Sequence, residues 1–112
     1  MKKILVMITM LISGLLLASC QSEKIYTLNF YDYMDTFIQV QITASSEAEA
    51  DKHQEQMDAI FSMYHELSTA YKPLDIDSDY LSNIYQINMK KDQKIEIDEP
   101  LYELLVYAEE LK

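Results

Sequence analysis

Glycine is almost absent from this chain. Of 112 residues one is glycine, Gly14, and it lies inside an apolar run near the N-terminus. Loops that wrap phosphates with backbone N–H groups need several glycines, so the P-loop and the dinucleotide-binding fingerprint are both excluded. Cysteine is limited to Cys20, which rules out a disulfide framework and a multi-cysteine zinc site. Basic residues are also few, 9 Lys and Arg against 19 Asp and Glu, for a formal charge of −10. Phosphate backbones are bound by clustered cations, so nucleic acid is not an expected partner. The length allows one domain at most.

What is present begins with an address. Lys2 and Lys3 precede the uncharged run Ile4 to Ala18, and the first acid is Glu23. A membrane-spanning helix needs about 20 apolar residues, so this shorter run suits a secretory h-region. It ends Leu17-Ala18-Ser19-Cys20. Small residues before a cysteine are what a bacterial lipoprotein signal peptidase reads. The expectation is therefore a signal peptide over 1–19, acylation of Cys20 (palmitate among the chains) and a lipidated tether over 20–24. Two or three acyl chains give stable anchoring where one binds marginally. The protein is then expected at the cell membrane, lipid-anchored on the extracytoplasmic face. An ordinary signal peptide, or an uncleaved anchor, with a chance cysteine is the plainer alternative.

The rest reads as α+β in the order ββαα(β)α. Lys24–Phe30 alternates and is rich in aromatic and β-branched residues, as strands are, with Tyr31–Asp35 interrupting it. Thr36–Thr43 places Ile38, Val40 and Ile42 on one face and Gln39, Gln41 and Thr43 on the other. Ser45 or Ser46 then caps a helix whose early Glu47, Glu49 and Asp51 suit the positive end of its dipole. Met57, Ile60, Phe61, Tyr64 and Leu67 form its apolar stripe, and Pro73 is expected to end it. Ser78 or Asp79 is expected to cap a short helix running through Asn88. Lys94–Asp98 is read as a short strand. Asp98-Glu99-Pro100 opens a last helix striped by Leu101, Leu104, Leu105, Ala108 and Leu111. Three amphipathic helices on so small a sheet demand more partner surface than the chain supplies.

Few constellations carry chemistry. Asp75, Asp77 and Asp79 resemble the start of a calcium loop, but Tyr80 and Gln86 stand where glycine and glutamate are needed. His53 and His65 are too far apart along one helix to share a metal and read as surface histidines. Most of the nine tyrosines fall on apolar stripes and read as packing residues. Tyr71 lies off the stripe, before Lys72-Pro73, where its ring either packs or meets a planar ligand. No Ser/His/Asp, Cys/His or paired-carboxylate set is arguable, so no catalytic residue is assigned.

Several segments together resemble a known family. Met34-Asp35-Thr36-Phe37-Ile38 opens a strand, a long helix ends in Glu66-Leu67-Ser68-Thr69-Ala70-Tyr71-Lys72-Pro73, and Ser78-Asp79-Tyr80-Leu81-Ser82-Asn83-Ile84 leads to a short helix. With the lipoprotein signal, this order looks like the N-terminal portion of the ApbE-type FAD:protein FMN transferases, formerly called thiamine biosynthesis lipoproteins. The family pattern has Met-Gly-Thr at the strand start, a Ser-x-Tyr-x-Pro-like turn and a Ser-Glu-Leu-Ser-like helix. The resemblance implies that residues 25–112 are an N-terminal fragment of a larger flavin-transferase domain. It implies transfer of FMN from FAD to a threonine or serine hydroxyl of a target protein: the hydroxyl oxygen bonds to the FMN phosphorus, the pyrophosphate bond breaks and AMP leaves. A divalent cation, Mg2+, neutralises phosphate charge in such chemistry, and its ligands are expected beyond residue 112. Met34 and Tyr71 match family residues that contact FAD. The implied partners are FAD, an extracytoplasmic electron-transfer protein as the target, and the membrane through the lipid anchor. Asp35 departs from the family glycine, and Ala70 and Leu74–Asp77 lengthen the turn. The later Ala-Phe-Asp-Pro segment and the metal-binding Asp and Thr have no counterpart, so the chain alone is expected to be inactive. The competing expectation is a non-catalytic extracytoplasmic lipoprotein that binds a partner protein.

Overall fold

The computed structural model describes residues 22–112, so the signal run and Cys20 lie outside the described residues. The described chain is α+β, a two-stranded antiparallel sheet followed by three helices. β1 (Lys24–Tyr33) pairs with β2 (Thr36–Ala44) from Lys24↔Ala44 to Phe30↔Ile38. Leu28, Phe30 and Ala44 are buried on the inner face. Asn29 and Gln39 are opposed on the outer face, joined by a side-chain hydrogen bond of 3.0 Å. β1 runs to Tyr33, through the segment expected to interrupt it. It does so by a bulge: the register slips between Phe30 and Tyr33, giving β1 one residue more than β2.

α1 (Glu47–Ser68) crosses the inner face and touches both strands and both other helices. Of the two candidate caps Ser46 serves, its hydroxyl accepting the Glu49 N–H at 3.2 Å. The Glu49 carboxylate reaches back to the Ser45 N–H at 2.8 Å and to the Ser45 hydroxyl. Those two bonds hold its carboxyl below the ordinary carboxylate range. Leu67 is fully buried near the C-terminal end of α1, while Ile60 on the expected stripe is half exposed. The helix stops at Ser68, before Pro73, and Thr69 turns extended. Pro73 has no N–H to offer the Thr69 carbonyl four residues back, and the N–H of Tyr85 takes that carbonyl instead at 3.0 Å, so the proline and a tertiary bond together mark the end.

α2 (Ile84–Met89) is shorter than the expected helix and begins later. Asn83 is its cap: Asn83 and Gln86 exchange side chain–backbone bonds of 3.1 and 3.2 Å, a complete capping box. Ser78 is used elsewhere, donating to Glu66 at 3.2 Å and accepting the Tyr80 N–H. Lys94–Asp98 is not a strand. A strand is defined by a paired neighbour, and the described sheet stops at two. α3 (Glu99–Glu110) starts after Asp98 with Pro100 in its first turn. The Asp98 carboxylate does not cap the helix but accepts the Leu81 N–H at 2.7 Å. Leu101 is fully buried; Tyr102, Val106 and Tyr107 are exposed. Burying a leucine contributes about 1.5–3 kcal/mol, so Leu67 and Leu101 are the strongest apolar anchors between the helices. No described helix is long and apolar enough to cross a membrane.

Candidate functional site

The hairpin turn and the C-terminal end of α1 meet. Met34 and Asp35 form the two-residue loop between the strands, with φ of 54° and 52°. Two-residue hairpins favour this left-handed pair because it matches the strand twist, and Asn-Gly is the usual solution. A residue with a Cβ is disfavoured there by about 1–2 kcal/mol, and methionine has no short polar group to offset it. The offset comes from α1: the Met34 N–H donates to Nδ1 of His65 at 2.9 Å.

The β1 bulge makes that contact possible. Strict alternation would turn Tyr33 to the outer face; the extra residue returns it to the inner face, as bulges re-aim side chains. Tyr33 then lies 6.2 Å from the rings of both Phe61 and His65, and Phe61 meets Phe30 edge-on at 4.9 Å. The Tyr33 hydroxyl donates to Asp58 Oδ1 at 2.7 Å. That bond, with the carboxylate's charge, pushes the phenol above its ordinary range.

His65 also lines a small cleft of about 40 Å³ with Thr69, Lys72, Pro73, Asp75 and Asn83. The loop after α1 is pinned there, because the fully buried Asn83 donates through Nδ2 to the Lys72 carbonyl at 2.9 Å. Tyr71 sits in this pinned loop but outside the cleft, 86% exposed. Its neighbour Lys72 pairs loosely with Asp75 at 4.0 Å.

The expected site residues thus fall as follows. Met34 is in the turn before β2 and not in the strand; its side chain is 42% exposed and its amide is spent on His65. Tyr71 presents a free ring from the next connection along α1. Cys20 lies outside the described residues. Asp35 adopts the left-handed conformation that a glycine would take freely. A cleft of about 40 Å³ is far below the ~300–1,000 Å³ of a small-molecule pocket, so these residues could touch one edge of a dinucleotide and not enclose it. Among the described residues no three His, Cys, Asp or Glu side chains cluster to hold a cation. His65, Tyr33 and Asp58 were not singled out by sequence as site residues. The available signal was the Phe61–His65 spacing of one helical turn, which puts the imidazole beside the apolar stripe.

No family model, curated protein or solved structure matches the chain.

Proposed function

We propose that residues 25–112 belong to an FAD:protein FMN transferase and supply part of its FAD contact. The observation that carries this reading is the Met34–His65 hydrogen bond. It joins the turn holding one residue that the resemblance assigns to FAD with the end of α1, and the other, Tyr71, lies three residues past that end. Each could then do what its chemistry allows. Tyr71 offers an exposed flat ring for stacking on the flavin or adenine. Met34 offers a polarizable thioether, its amide being unavailable to a phosphate. Asp35 adds a negative charge beside any pyrophosphate held there. The reading assigns these residues to binding and gives none of them a catalytic role.

The test is titration of FAD with the full chain in detergent micelles, followed by flavin fluorescence. Saturable binding is expected, weakened in Tyr71→Ala by about 1–3 kcal/mol, the scale of one base–aromatic stack. Absence of saturable binding, or an unchanged Tyr71→Ala, overturns the reading. The second reading, a partner-binding lipoprotein without chemistry, is favoured by one observation: α3 leaves Tyr102, Val106 and Tyr107 facing outward with no covering element among the described residues. Saturable FAD binding that weakens in Tyr71→Ala would count against it.

A further inference from the structure

His65 stands at an unusual junction. Its Nδ1 accepts a backbone N–H from a two-residue turn in which neither residue is glycine. Acceptance at Nδ1 requires a neutral imidazole with its proton on Nε2. A second proton turns Nδ1 into a donor facing the Met34 N–H, and the attraction becomes a repulsion. The turn then holds two left-handed residues without its main tertiary support.

We propose that His65 is a positioning residue: its neutral imidazole latches the Met34–Asp35 turn in the left-handed form, and protonation of that imidazole releases the turn. The latch stands on the geometry of the turn; its use in presenting Met34 to a ligand rests on the flavin reading above.

Several ionisable groups surround the imidazole. From the hairpin comes the Tyr33 phenol, its ring 6.2 Å from the imidazole and its hydroxyl held by the Asp58 carboxylate. From α1 comes Glu66, whose carboxylate accepts the Ser78 hydroxyl. From the following loop come Lys72 and Asp75, paired with each other. Asn83 is neutral, and no residue of α2 or α3 lines the cleft. Between about pH 8 and pH 5, imidazole is the side chain whose charge ordinarily changes. His53, twelve positions earlier on α1, is a built-in control.

The experiment uses the full chain in detergent micelles without FAD, so that failure of the flavin reading leaves its outcome untouched. Isotope-labelled histidine reports which ring nitrogen carries the proton, and labelled methionine reports amide exchange at Met34. Met57 and Met63, inside α1, report whether the fold persists. At about pH 8 the Nε2–H tautomer and a protected Met34 amide are expected. As His65 takes up its proton, Met34 protection should fall roughly three- to tenfold, the scale of one hydrogen bond, while Met57 and Met63 keep theirs. His65→Asn places an acceptor oxygen near the Nδ1 position and should protect Met34 at both pH values; His65→Ala should protect it at neither. Met34 protection that survives protonation of His65, an Nδ1–H tautomer at about pH 8, or equal loss in the Asn and Ala variants would each overturn the proposal.

Discussion

Asn83 is the polar side chain on which the loop carrying Tyr71 depends. It is fully buried, caps α2 by accepting the Gln86 N–H at 3.1 Å, and donates to the Lys72 carbonyl at 2.9 Å. The two roles separate by substitution. Asn83→Ala removes both. The lost cap costs about 1 kcal/mol, and the lost bond to the carbonyl of the exposed Lys72 costs about 0.5–1.5 kcal/mol more. The expected loss is therefore about 1.5–2.5 kcal/mol, a large share of a typical total of about 5–15 kcal/mol. Asn83→Ser keeps a capping oxygen of nearly equal quality but cannot reach Lys72. It should recover about 1 kcal/mol relative to alanine and leave the loop loose. Urea unfolding of the full chain in micelles, followed by circular dichroism, gives the totals. Hydrogen exchange across residues 69–75 reads the loop. If Asn83→Ala unfolds within about 0.5 kcal/mol of the parent chain, the buried bonds are not what holds the loop, and the burial argument fails. If serine is as damaging as alanine, the division between cap and loop fails.

Two other predictions follow from separate features. Glu49 is held below the ordinary carboxylate range by the Ser45 hydroxyl and N–H. A carboxyl with a depressed folded value contributes stability above its unfolded value and loses it as pH falls through the folded one; the acid limb of a melting-temperature profile should therefore be shallower in Glu49→Gln, and an identical limb would refute the coupling. Cys20 should carry acyl chains in the membrane fraction, and Cys20→Ala should stall or release the precursor; unchanged mass and unchanged membrane retention would count against the lipoprotein reading.

Much of the fold was legible because its signals are local. β2 announces itself by strict alternation, and the start of α1 by Ser46 ahead of an acidic first turn. The failures share a cause: they lie where a tertiary partner decides. Lys94–Asp98 has strand composition, but composition supplies no neighbour to pair with. Ser78 and Asp79 are good cap types, yet Glu66 takes the Ser78 hydroxyl, and Asn83 with Gln86 completes a box that neither earlier residue could. Pro73 did mark its helix end, four residues after the Thr69 carbonyl it cannot serve; what the sequence hid is that Tyr85 takes that carbonyl.

The candidate site was less legible, for a reason that Tyr33 makes plain. Read by alternation from Leu28 and Phe30, Tyr33 belongs on the outer face, where it would meet nothing on α1. One extra residue in β1 reverses that assignment. The bulge sends the Tyr33 hydroxyl to Asp58 and its ring to Phe61 and His65, and carries the Met34 amide to Nδ1. Nothing in Tyr31-Asp32 marks a bulge, since neither residue is the glycine or proline that punctuates a strand. Once the bulge is present, His65 is no longer a solvated histidine near the end of a helix. It becomes the group that makes a Met-Asp pair tolerable in a turn built for Asn-Gly. A glycine at position 35 would relieve part of that strain from within the loop, more fully than an aspartate can. The chain has an aspartate there instead, and so the turn's conformation depends on α1 and, through His65, on whether one nitrogen is free to accept.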